Sequence, residues 1–158
     1  MEISTRILDA ADKKDEKTLR RKTASFDFSK FSKKEINELI AVMTKVMYDA
    51  NGQGLAGNQI GLDMSVFVAK VNGKLYSIFN PKITSVSEEK TAWDGEGCLS
   101  VPNRFESTYA PSKLTLDGFD RNGKKIKIKA WGMLALTFQH EVDHLNGRLF
   151  IDRLKIRT

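Results

Sequence analysis

The segment "TFQHEVDHLNG", Thr137 to Gly147, constrains this chain more than any other. It holds both histidines of the 158 residues, four apart, with a glutamate beside the first. Apolar periodicity predicts a helix from Met133 to about Asn146, ended by Gly147 at the C′ position. At about 100° per residue, Ala135, Phe138, Val142 and Leu145 gather on one face, while His140 and His144 fall opposite with Met133 and Thr137. Few positions are freely polar, so burial is expected on both sides. The rest of the chain must then wrap this helix, and a histidine pair inside a core needs partners.

Imidazoles one helical turn apart converge on one point, and H-E-x-x-H adds a carboxylate placed to take a proton from water. Two structural histidines would give the same spacing, so the third ligand decides the class. After His144 no glutamate follows, which excludes a thermolysin-like peptidase, and Phe150 stands where a metzincin would place its third histidine. Upstream, Cys98 is the one soft ligand left, in "DGEGCLS". A lone cysteine is by default buried and inert. Its glycine-punctuated polar surroundings point instead to a Cys/His/His set with an open fourth position, the pattern of a catalytic site.

The remaining elements follow from local signals. "SKKEINELIAVMTKVMYDANG" predicts a helix opened by a Ser32/Glu35 capping box and stopped at Asn51-Gly52. "SVFVAKV" and "KLYSIFN" flank Asn72-Gly73, and "KLTLDGFD" and "KKIKIKA" flank Asn122-Gly123, each read as a type I′ hairpin. Leu114, Leu116, Ile126 and Ile128 alternate with polar residues, as in a half-buried sheet. The segment "TAWDGEGCLSVPNRF" reads as irregular or strand-edge structure, the N-terminal segment as mixed and polar, and Trp93 and Trp131 as packing residues. One α+β domain over residues 1–158 is expected.

A net charge of +6, with basic runs at "KKDEKTLRRK", "RNGKKIKIK" and "RLKIRT", reads as solvated surface without a nucleic-acid motif. No apolar run is long enough to span a bilayer, and the N-terminus lacks the apolar stretch of a signal peptide. A single cysteine fits a reducing compartment, so a cytoplasmic location is expected.

"EGCLS" (Glu96 to Ser100), "HEVDH" (His140 to His144) and "GQGLAGNQ" (Gly52 to Gln59) together resemble, in order and placement, the three motifs of the peptide deformylase family. The resemblance covers nearly the whole chain. It implies a single domain with small antiparallel or mixed β-sheets packed around a buried metal-binding helix. It implies that Cys98, His140 and His144 bind one divalent metal, usually Fe2+, with Zn2+, Ni2+ or Co2+ as alternatives. Glu141 is implied as general base and then acid in removing formyl from N-formylmethionyl nascent peptides. The Gln59 amide and the Leu99 backbone N–H are implied as oxyanion donors, and Gly54 and Leu55 as substrate-aligning. Glu96 is expected at the substrate mouth or orienting its neighbours, and Asp143 holding an imidazole or a basic group.

The chain departs from the family pattern in places. Gly57 replaces a usual second alanine, so a looser segment is expected there. Gln53 replaces a residue that is often aliphatic beside the groove. An arginine common after "CLSVP" is absent from "TYAP", and Arg104 is not expected to substitute. The chain stops at Thr158, where many bacterial members continue into a ribosome-contacting helix; ribosome docking is therefore weakly supported, and a compact phage or organellar variant is suggested. No specific nucleic acid and no membrane are expected as partners. Two other readings stay open: a related metal-dependent amidase acting on other blocked amines or peptides, and a non-enzymatic structural-zinc or basic binding module.

Overall fold

The computed structural model describes residues 1–154, so residues 155–158 of the basic C-terminal run lie outside the described residues. The chain opens with a short helix, α1 (Lys13–Leu19), which the polar composition of the segment concealed. Asp12 caps it by accepting from the Asp15 N–H, and Leu19 at its end is fully buried. Arg6 then grips Asp15 through two bonds of 2.8 and 2.9 Å.

Helix α2 (Lys33–Asp49) begins with the expected capping box, in which Ser32 and Glu35 each accept the other's backbone N–H at 3.1 Å. Ile36, Leu39, Ile40, Met43 and Met47 are all buried on one face. Strands β1 (Gly54–Ala56), β2 (Val66–Val71), β3 (Lys74–Val86), β6 (Lys113–Phe119) and β7 (Lys125–Trp131) form a five-stranded sheet in the order β1-β2-β3-β6-β7. A separate two-stranded ribbon joins β4 (Lys90–Cys98) to β5 (Val101–Pro111). Every pairing between these strands is antiparallel.

Strand β2 explains how the layers stack. Val66 and Val68 belong to the cluster around α2, whereas Phe67 and Ala69 join the cluster with Phe138 and Val142 of α3 (Met133–Leu145). A strand covered on both faces reads as a nearly continuous apolar run, as "VFVAKV" does. The helix that carries both histidines therefore lies on the opposite side of the sheet from α2.

The two hairpins differ. Asn72 and Gly73 have φ of 51° and 79°, as a type I′ turn requires. At the second hairpin only Gly123 is left-handed, with φ of 76°. Asp120 Oδ1 instead accepts the N–H groups of Asn122 and Lys124 at 2.8 and 3.0 Å, stabilising a longer loop closed by the Asp120 N–H to the Lys124 carbonyl. The aspartate competes for the backbone, so the Asn-Gly dipeptide alone misjudged the turn. The segment read as irregular or strand-edge structure lies in the β4–β5 ribbon, whose register shifts absorb its glycines. No helix among the described residues is long and apolar enough to cross a membrane.

Candidate metal centre

Helix α3 starts at Gly132 and ends with Asn146 as its C-cap, and Gly147 follows at φ of 76°. Its sheet-facing residues Ala135, Phe138, Val142 and Leu145 are buried as expected. On the other side, His140 and His144 meet Cys98, which the tight β4–β5 turn at Leu99 and Ser100 delivers from the far end of the ribbon. Cys98 Sγ lies 3.2 Å from His144 Nε2, which lies 3.2 Å from His140 Nε2. The three donor atoms all fall within 4.8 Å of one another.

This donor set fits a divalent ion. His140 gives its Nδ1 to Glu96 Oε2 at 2.7 Å, which leaves Nε2 as a lone pair aimed into the cluster. His144 is fully buried, and its Nδ1 has no hydrogen-bond partner among the described residues. Two bare nitrogens and a sulfur facing one point repel unless a cation sits between them. A tetrahedral ion with nitrogens at about 2.0–2.1 Å holds them roughly 3.3 Å apart, close to the 3.2 Å between the two Nε2 atoms.

The electrostatics agree. Burial opposes a charged His140, but its bonds with Cys98 and Glu96 and the charge of Glu141 raise its pKa well above the ordinary value, so its Nε2 attracts a cation, and a proton and a metal ion compete for that one position. Burial, then the neighbouring His140, pushes His144 well below its ordinary value, which keeps it a neutral donor. Burial pushes Glu141 up to about 7, against His140, with Glu96 and Asp143 adding to the rise. Glu141 Oε1 is 4.0 Å from His140 Nε2, and its Oε2 is buried without a hydrogen bond among the described residues. A carboxylate so placed is poised to exchange a proton beside the donor cluster.

The glycine-rich motif supplies the opposite wall. A Cβ at Gly54 would sit 2.6 Å from Glu141 Oε1, so only glycine lets the general-base candidate lie against β1. The Lys70 N–H donates to the Gln53 carbonyl, and ladder alternation then turns the Gly54 backbone away from β2. The Ala56 N–H, two residues on, also points outward and donates to Gln59 Oε1 at 3.0 Å. That bond orients the Gln59 amide, whose Nε2 donates to Ser100 Oγ at 3.1 Å and lies 3.6 Å from Cys98 Sγ. Leu55 sends its side chain into the α2 core, and the same alternation turns its backbone toward Val68 of β2. Gly57 is not a loosening point: a Cβ there would meet the Met64 carbonyl at 2.8 Å, so close packing excludes the alanine.

A cavity of about 520 Å3 opens from this wall past Leu99, Trp93, Phe105, Met133 and Leu136. Trp131, expected to pack, is 69% exposed, because β7 alternation turns its neighbour Ala130 inward. Glu96 lies at the cavity wall, and its carboxylate is engaged by His140, by Thr108 Oγ1 and by Arg153. Asp143 accepts from Gln139 and Arg153, a basic group as expected. Arg104 stays on the surface with Glu106, so the guanidinium near the centre comes from Arg153 instead. Sequence reading missed Arg153 in the centre, having counted it only within a basic run. It also missed Asn58, whose Nδ2 donates to the His144 carbonyl at 2.6 Å. Neither carries a local periodic signal.

A family model described as polypeptide deformylase matches residues 6–158. A peptide deformylase of Syntrophobacter fumaroxidans is 44% identical over 122 residues, covering 74% of this chain and 71% of that one. A solved Thermotoga maritima peptide deformylase is similar with a TM-score of 0.87 at 29% identity, over 99% of this chain and 100% of that one. A Synechococcus elongatus peptide deformylase, solved in complex with actinonin, gives 0.85 at 31% identity over 96% and 79%.

Proposed function

The chain belongs to the polypeptide deformylase family, whose members remove the N-formyl group from nascent peptides, and on that premise we propose how its own residues do so. The observation that carries the reading is the meeting of Cys98, His140 and His144 beside a buried Glu141 and at the head of a cavity. Cys98 Sγ, His140 Nε2 and His144 Nε2 would hold a divalent ion, which would supply the Lewis acidity to polarise an amide carbonyl and acidify water. The proposed ion is Fe2+, with Zn2+, Ni2+ and Co2+ as alternatives, since these ligand types do not select among them.

Glu141 takes the proton of the attacking water and delivers it to the amine as the C–N bond breaks, so that water's oxygen leaves in formate. The Gln59 amide and the Leu99 N–H donate to the formyl oxygen as its charge grows; losing one such donor costs about 2.7–4 kcal/mol. The outward Gly54 backbone pairs with the extended peptide, with the Leu55 backbone supporting it, and the methionine side chain enters the cavity. Glu96 acts through His140 rather than on the substrate. The substrate is an N-formylmethionyl peptide or nascent chain, met in the cytoplasm, where the single thiol stays reduced.

The test is formate release from formyl-Met-Ala-Ser by protein loaded anaerobically with Fe2+ or Ni2+. Metal-replete protein without turnover sinks the reading. Preference for acetylated or unblocked peptide favours the related amidase. Glu141→Ala is expected to keep the metal and lose turnover by about 10²–10⁴-fold.

A further inference from the structure

Among the described residues, the proposed mechanism leaves the largely buried guanidinium of Arg153 unused. Arg153 ends the 3₁₀ turn Phe150–Arg153 that follows α3, and its side chain is 16% exposed. Its Nη2 donates to Glu96 Oε2 at 2.7 Å, and its Nη1 donates to Glu96 Oε1 and to the Tyr109 carbonyl, both at 3.1 Å. Its Nε donates to Asp143 Oδ2 at 2.9 Å. One side chain thus spans β4, β5 and α3. The backbone beside it is anchored by the Thr108–Leu154 bridge.

The geometry is specific to a fork. A planar guanidinium engaging both oxygens fixes the plane of the carboxylate, which a lysine's point charge does not. The oxygen that Nη2 holds is the one that accepts His140 Nδ1 at 2.7 Å. Thr108 Oγ1 occupies the other oxygen. The acceptor that sets the tautomer and aim of His140 is therefore itself aimed by Arg153. Loss of a partner bonded directly to a metal ligand, as Glu96 is, typically changes affinity or activity by about 10–100-fold, and Arg153 acts on the ion through that partner.

Resting on the metal centre proposed above, we propose that Arg153 is its positioning residue, holding Glu96 so that His140 presents a bare Nε2 to the ion. Its loss loosens the ion more than the fold.

The experiment compares the Zn2+-loaded full chain with Arg153→Lys and Arg153→Met. Zn2+ release to a chelator is followed alongside ¹⁵N-edited NMR of the imidazoles, of which there are two. Both variants are expected to fold, to release Zn2+ about 10–100-fold faster, and to shift or broaden the His140 Nδ1 signal. Adding Glu96→Gln to Arg153→Lys should give no further loss beyond the weaker single variant, because Arg153 acts through Glu96. Arg20→Ala is the control: it cuts the Arg20–Asp152 pair that ties α1 to the same turn, and release should stay within about twofold if the guanidinium rather than the turn matters. Parent-like release and NMR in both Arg153 variants overturn the inference while leaving the proposed function standing. Variants that do not fold also overturn it, since Arg153 would then be a structural clasp. A parent chain that binds no Zn2+ overturns the function and the inference together.

Discussion

The five-stranded sheet and the β4–β5 ribbon grip the same helix by different forces. On the sheet side, α3 presents Ala135, Phe138, Val142 and Leu145 to Phe67, Ala69, Ile78 and Leu116, all buried and apolar. On the ribbon side, α3 meets β4 and β5 through His140 to Glu96, Asp143 to Arg153 and Arg153 to Glu96. Apolar burial is non-directional and sets how firmly the helix is held. Charge-assisted hydrogen bonds are directional and set where its side chains point. The molecule thus places stability on one face of α3 and aim on the other.

That division is open to direct attack, from the largest effect down. Phe138→Ala removes a fully buried ring from the sheet side and should cost about 3–5 kcal/mol in urea unfolding. If it weakens Zn2+ binding by more than its effect on folding, the two faces are not separable. Gly57→Ala tests the wall between them, since the new methyl would press on the Met64 carbonyl at 2.8 Å. A loss of about 1–3 kcal/mol is expected, and a stabilised protein would show that the segment was loose after all. Glu96→Gln acts on the ribbon side, where Zn2+ competition should read about 10–100-fold weaker binding with a smaller change in thermal midpoint. The smallest effect belongs to the exposed Lys127–Asp117 pair at 3.0 Å: Lys127→Ala should shift stability by less than about 1 kcal/mol and leave metal binding alone.

An acid limb adds a third handle, away from both faces. Asp15 has its pKa lowered from 3.8 to about 2, chiefly by the bond from Arg6. A depressed carboxylate stabilises the folded state above its unfolded pKa, and that contribution disappears as pH falls from 3.8 toward 2. Asp15→Asn should flatten the stability curve measured across that window.

Much of this was readable in the chain. The α2 capping box, the Asn72-Gly73 turn and both faces of α3 depend on residues a few positions apart, and short-range sterics and hydrogen bonding decide them. The three motifs pointed to the family before any contact was known. The reading stayed open or failed where a longer-range contact outweighed the local signal. Gly and Pro in "TAWDGEGCLSVPNRF" left irregular and strand-edge structure both open, and only cross-strand pairing with register shifts decides for a ribbon. Trp131 read as a packing residue, but strand alternation turns it outward. Gly57 looked like slack until the Met64 carbonyl occupied its methyl space.

By itself the sequence singled out the side chains that meet at the candidate centre: two imidazoles one turn apart, one thiol, one adjacent carboxylate. Tertiary structure alone decided how they are aimed. Glu96 and Arg153 lie 57 positions apart, and no propensity or periodicity acts over that distance. Their pairing exists because the ribbon and the turn after α3 pack against the same helix, where a buried carboxylate requires a partner.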